Sequence, residues 1–84
     1  MFMSKTCGPC RILKPILSRV LREFEGKVHY VEVDIEEHPE LTLQSSVAGT
    51  PTVQIYAAQE LLTTLRGVKK SSEYKAEIER ALDA

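Results

Sequence analysis

The chain has 84 residues, 43% hydrophobic and 27% charged, which is enough for one small core and too little for two. Eleven basic against twelve acidic side chains leave a net charge of -1, which excludes the basic footprint of a nucleic-acid or anionic-membrane binder. No apolar run approaches the roughly 20 residues of a membrane span, and the first residues lack the charged-then-apolar pattern of a signal peptide.

Met1-Phe2-Met3-Ser4 is apolar enough to end a strand that leads into Cys7 and Cys10. After the cysteines, Ile12, Leu13, Ile16, Leu17, Val20, Leu21 and Phe24 recur at helical spacing, opposite Arg11, Lys14, Ser18, Arg22 and Glu25. Pro9 suits the first turn and Gly26 the end, while Pro15 predicts a kink within one continuous helix. Val28 to Ile35 is rich in β-branched residues and reads as a buried strand.

Pro39 opens a shorter helix through about Val47, stopped by Gly49. Thr52–Tyr56 and Leu61–Arg66 form a hairpin around Ala57-Ala58-Gln59-Glu60. The turn lacks the Gly or Asn of a tight primed turn, so a looser one is expected. Gly67 breaks the second run, and Ser71 or Ser72 can cap a last helix with Glu73 in its first turn and Tyr74, Ile78, Ala81 and Leu82 on one face. Tyr30, Tyr56 and Phe24 read as core or sheet-face residues, and His38 as a helix-entry residue. Lys69-Lys70 and Glu36-Glu37 read as solvated charges. A strand-helix-strand start implies parallel pairing through a right-handed crossover, to which the hairpin adds antiparallel strands.

Thr6-Cys7-Gly8-Pro9-Cys10-Arg11 carries the chemistry. A bridge closing so short a loop constrains little of the unfolded chain, so it is a poor structural staple. At a strand–helix junction this spacing reads as a thiol–disulfide redox motif. Cys7 precedes the helix, where unpaired N–H groups and the positive dipole end stabilise thiolate, the nucleophilic form. Cys10 falls on the apolar stripe and should be buried, giving an exposed attacker and a shielded resolver one turn behind it. The alternatives are half a zinc site or two inert core thiols. Structural zinc wants four ligands, no second C-x-x-C exists, and His29 and His38 have no paired spacing, so no metal is expected. By itself, Pro51 before a strand reads as a trans proline at an edge.

Cys7-Gly8-Pro9-Cys10, Lys14-Pro15, Asp34-Ile35, Gly49-Thr50-Pro51-Thr52 and Gly67 resemble the thioredoxin family, in its order and spacing over essentially the whole chain. Leu13–Leu17, Val28-His29, Val31-Glu32, Asp34–Glu37 and Gly67-Val68-Lys69 add a resemblance to the thioredoxin domain fused to NADPH-dependent thioredoxin reductase in plants and cyanobacteria. The resemblance implies an α/β, thioredoxin-like fold: a central mixed sheet flanked by helices, in strand-helix-strand-helix-hairpin-helix order. It makes Cys7 the attacking thiolate, Cys10 the resolving thiol and Pro51 a cis-proline beside them. Thr50 would then offer backbone hydrogen bonds to an extended target, while Thr6, Gly8, Pro9 and Gly67 border the contact surface.

Three features depart from the pattern. Thr6 stands where the family usually has Trp. The family's buried aspartate, proton acceptor for the resolving cysteine, falls near Met1, and its lysine partner aligns with Glu32. A buried carboxylate has a raised pKa, so Glu32 is a candidate base for Cys10, with solvated Glu32 and water as the alternative. Only six residues precede Cys7, so residues 1–84 are expected to form a single domain without the family's N-terminal strand and helix. The chain is then a trimmed part of a longer polypeptide or a short module, with an exposed sheet edge that invites a homodimer.

The resemblance implies a protein dithiol–disulfide oxidoreductase with no bound cofactor, fed from NADPH by a flavoprotein thioredoxin reductase. Its targets would be disulfide-containing proteins such as peroxiredoxin. A labile C-x-x-C without a structural disulfide fits the cytoplasm or the chloroplast stroma. The rival from another class is a docking module with little turnover. A glutathione-dependent activity is the lesser rival, opposed by Pro9 in the place of an aromatic residue.

Overall fold

A computed structural model describes residues 1–83. In chain order these are β1 (Phe2–Met3), α1 (Gly8–Glu23), β2 (Val33–Asp34), α2 (Pro39–Gln44), β3 (Thr52–Ala57), β4 (Glu60–Arg66) and α3 (Ser71–Asp83). The sheet order is β2-β1-β3-β4, with β1 parallel to β2 and antiparallel to β3. This is the mixed α/β arrangement that the pattern of elements predicts.

The stripe of α1 explains the core. Cys10, Leu13, Leu17 and Val20 recur at helical intervals and are buried, and Phe24 just past the helix joins them. Leu13, Leu17, Val20 and Phe24 pack with Met1, Val53 of β3, and Tyr74 and Ile78 of α3. Burying side chains of this size is worth about 1.5–3 kcal/mol each. Pro15 lies inside α1, as predicted, without ending it. Ile12 leaves the stripe: it is 61% exposed, about 100° round the helix from buried Leu13.

Four local expectations are corrected. Val28–Ile35 is not one buried strand: only Val33–Asp34 pairs, and Val31 is 66% exposed. The physical reason is the shortness of β1, whose two residues supply partners for two. The second helix stops at Gln44 rather than near Val47, and the chain turns there with Ser46 at φ 58°.

The hairpin turn is tight rather than loose. Ala57 pairs with Glu60, and Ala58 and Gln59 take φ 52° and 69°. Positive φ at both central positions matches the right-handed twist of the flanking strands, and that demand overrides the unfavourable side chains. A bulge at Ile55/Tyr56 leaves Leu62 without an opposing residue. Ser71 and Ser72 are inside α3 rather than capping it; the Glu73 carboxylate accepts from Lys70 N at 3.2 Å and serves that end. Leu82 on this helix is exposed, and so are Tyr30 and Tyr56. Among the described residues no helix is long and apolar enough to cross a membrane.

Candidate active site

The turn from β1 into α1 is built by Ser4, a residue that periodicity does not single out. Its side chain is largely buried, and its Oγ lies 3.1 Å from Thr6 Oγ1 and accepts from Thr6 N at 3.2 Å. Its carbonyl accepts from Cys7 N at 3.2 Å. A serine bonding the backbone two residues on is a recognisable turn device, so Ser4 followed by Thr6 was the available signal.

This turn sets Cys7 as the N-cap of α1, with extended φ -86° and ψ 106°. Its Sγ accepts from Cys10 N at 3.2 Å, so the sulfur occupies the place of a capping oxygen. Pro9 in the first turn costs no hydrogen bond there, and no acidic side chain in that turn competes for the N–H groups. Cys7 is half-buried and Cys10 is 4% exposed. The two are joined as a disulfide, with Cα atoms 5.3 Å apart. Gly8, Pro9 and Thr6 are exposed around it.

Sheet register brings the second motif alongside. Phe2 faces Thr52, so the antiparallel pairing carries Met3 and Ser4 past Pro51 and Thr50. The Thr50–Pro51 peptide is cis, as the resemblance implies and against the trans reading of the dipeptide alone. Gly67, at φ 76°, donates its N–H to Pro51 O at 2.9 Å, and Thr52 Oγ1 donates to Gly49 O at 2.7 Å. Register therefore sets the Cys7 turn beside Thr50-Pro51, which the hydrogen bond from Gly67 holds in turn. Exposed Ile12, four residues after Gly8 on the same side of α1, and exposed Val68 add apolar surface near this end.

Glu32 is the partly solvated carboxylate of the alternative reading. Its side chain is 28% exposed rather than buried, and it pairs with Lys14 Nζ at 3.1 Å. The segment Tyr30–Glu32 has no outer strand against it, which keeps the carboxylate in contact with water. Lys14 is four residues beyond Cys10, so the pair lies about one helical turn along α1. Met1 is buried in the apolar core and offers no carboxylate in the family position. Among the described residues, no group of three His, Cys, Asp or Glu side chains could hold a metal ion.

A family model for thioredoxin matches residues 1–80. The chain belongs to the thioredoxin family. Thioredoxins are oxidoreductases with a redox-active cysteine pair, and Cys7 and Cys10 of this chain are a pair at disulfide distance. The chain is similar to NADPH-dependent thioredoxin reductase 3 of Arabidopsis thaliana, 48% identical over 79 residues, covering 94% of this chain and 15% of that protein. It is 32% identical over 81 residues to the mitochondrial thioredoxin of Bos taurus, covering 96% of this chain and 49% of that protein. Thus it spans about half the length of one of these relatives and less of the other. The structure of chloroplastic thioredoxin z superimposes with a TM-score of 0.83 at 27% identity, over 99% of this chain and 75% of that one. A mutant thioredoxin from Halobacterium salinarum shares the fold, with a TM-score of 0.88 at 24% identity, over 99% and 72%.

Proposed function

We propose that residues 1–84 form a single thioredoxin-like domain that reduces disulfides of target proteins. The observation that carries the reading is the unequal pair: half-buried Cys7 at the N-terminus of α1, bridged to buried Cys10. In the reduced form, Cys7 thiolate attacks one target sulfur and the other leaves as a thiolate, which takes a proton from solvent. Cys10 then loses its proton and attacks Cys7 Sγ, releasing the second target thiol. The target disulfide gains two electrons and two protons, and the Cys7–Cys10 dithiol becomes a disulfide.

Thr50 and Pro51 position the target, with Thr6, Gly8, Pro9 and Gly67 bordering the contact. Glu32, held by Lys14, takes the proton of Cys10. Electrons come from NADPH through a flavoprotein thioredoxin reductase, and the domain binds no cofactor of its own. The similarity to a protein named for both NADPH and thioredoxin reductase supports that source. Disulfide-containing proteins such as peroxiredoxin are the proposed targets, in the cytoplasm or the chloroplast stroma. A second copy pairing along the free outer edge of β2 completes the proposed partners.

The test is NADPH-coupled reduction of insulin disulfides by the chain with a thioredoxin reductase, beside Cys7→Ser. Turnover lost in the variant supports the reading. A folded chain without turnover, whose binding to a target survives Cys7→Ser, is instead a docking module.

A further inference from the structure

Ser4 opens the turn that ends at Cys7, whose N–H donates to Ser4 O at 3.2 Å. Thr6, the residue just before the nucleophile, is gripped twice by one atom. Its N–H donates to Ser4 Oγ at 3.2 Å, and its Oγ1 lies 3.1 Å from the same oxygen. Backbone and side chain of Thr6 are thereby fixed against each other. That selects one χ1 well in a β-branched residue with few to choose from.

The direction of the bond between the two hydroxyls follows from burial. Ser4 is buried, and among the described residues its Oγ meets only Thr6. A serine hydroxyl has one hydrogen and two lone pairs. One lone pair takes Thr6 N–H, so the hydrogen needs an acceptor, and Thr6 Oγ1 is the one within reach. The reverse arrangement would leave the Ser4 hydrogen in a buried place with no partner, which is the costly case. Ser4 thus donates to Thr6, and Thr6 keeps its own hydroxyl hydrogen. Thr6 is exposed, so that hydrogen is available to a molecule arriving at Cys7.

Lys5, the residue between them, is engaged instead with Glu37 at 3.3 Å. Of the other residues that border Cys7, Gly8 and Gly67 have no side chain, and Pro9 and Pro51 have no side-chain donor. Thr50 is only half-exposed. Thr6 is therefore the exposed side-chain donor of this border.

We propose that Ser4 is a positioning residue that holds the Thr6 hydroxyl as a hydrogen-bond donor to the carbonyl oxygen of the target cysteine under attack. The role rests on the disulfide-reducing reading above and names the group that a target must bring. A peptide carbonyl is the acceptor because every cysteine in a polypeptide carries one a few bonds from its sulfur. When Cys7 Sγ engages that sulfur, the carbonyl arrives beside the nucleophile's neighbour in sequence, Thr6. Recognition of this kind favours disulfides set in a peptide chain over bare ones, whatever the side chains of the target.

The experiment compares two neutral disulfides that differ in that carbonyl. N,N′-diacetylcystine bis(methylamide) has it, and N,N′-diacetylcystamine lacks it. Each is mixed with the reduced chain in the absence of other reductant, and the reagent becomes two thiols as the Cys7–Cys10 dithiol becomes a disulfide. The readout is the ratio of the two second-order rate constants, the first reagent over the second. Thr6→Val should lower this ratio about fivefold, the worth of an ordinary hydrogen bond, and Thr6→Ser should retain most of it. Ser4→Ala should lower it about twofold while the Thr6 hydroxyl is present, and no further when added to Thr6→Val. That double variant also removes the serine hydroxyl that Thr6→Val alone leaves without an acceptor. A general distortion of the turn slows both reagents alike and leaves the ratio where it was.

The proposal is overturned if Thr6→Val changes both rates equally. It is overturned as well if Ser4→Ala lowers the ratio as much without the Thr6 hydroxyl as with it. A folded, reduced chain that reduces neither reagent overturns the disulfide-reducing reading itself, and this role with it.

Discussion

The backbone N–H of Cys10 points at the sulfur of Cys7 across 3.2 Å. A serine hydroxyl placed there accepts the same bond, because serine is a favoured N-cap. Cys7→Ser should therefore hold its stability within about 1 kcal/mol while insulin reduction falls to background. Cys10→Ser should keep the attack and lose the release, so a mixed disulfide with the target accumulates and is visible by intact mass. If both variants behave alike in that trapping assay, the division between attacker and resolver is wrong.

Lys14 and Glu32 make a separable pair. Both side chains reach solvent, so breaking their contact with Lys14→Met should cost no more than about 1 kcal/mol in denaturant titration. Glu32→Gln removes the proposed proton acceptor while keeping the shape. Release of the mixed disulfide should slow about tenfold near neutral pH, at the low end for a base that solvent also reaches. An unchanged release profile would leave the proton to water.

Tyr74 ties the far side of the site to the core. Its hydroxyl donates to Gly67 O at 3.2 Å and accepts from Lys69 N at 3.0 Å, and its ring is fully buried. Tyr74→Phe should cost about 1–2 kcal/mol, measured by chemical denaturation, because both backbone groups lose a partner. It should also loosen Gly67, whose N–H holds Pro51, and raise the KM for a protein target more than it lowers kcat.

The tyrosines also set the alkaline limit. Partial desolvation of the phenol foremost, with Glu32 adding to it, pushes Tyr30 up to about 12 although much of the residue stays exposed, and burial raises Tyr74 from its ordinary value. Unfolded tyrosines release their protons near pH 10, whereas the folded ones retain them. The unfolded state then binds fewer protons, so stability present below pH 10 is lost as pH rises toward the folded values. Equilibrium unfolding followed from pH 9 upward should show this fall, and Tyr30→Phe should reduce its slope.

The sequence was most legible where one residue type meets one physical demand. Cys10, Leu13, Leu17 and Val20 follow the helical repeat onto the core, and Cys7 with Pro9 marks the start of that helix. It was least legible where pairing partners decide. Val28–Glu32 has the composition of a buried strand, yet beside so short a β1 its backbone is held only by the bond from Met1 N to Val31 O, and His29–Glu32 are exposed. Ile12 was misplaced for a different reason, because a stripe read by spacing alone is wider than the face that the sheet covers. The role of Ser4 depends on a local turn, and apolar periodicity carries no trace of it.

The hairpin turn offers the cleanest gain in stability. Ala58 at φ 52° and Gln59 at φ 69° both occupy the left-handed region, which costs an ordinary side chain roughly 1–2 kcal/mol per residue. Both are exposed, so no packing is lost on replacement. Asparagine tolerates that region, glycine adopts it freely, and together they are the favoured residues of a two-residue primed turn. Ala58→Asn with Gln59→Gly should therefore stabilise the chain by about 1–2 kcal/mol, less the extra freedom glycine gives the unfolded state. A raised midpoint in thermal and urea unfolding, with insulin reduction unchanged, is the expected result. A lowered midpoint would show that other contacts offset the cost of the left-handed backbone.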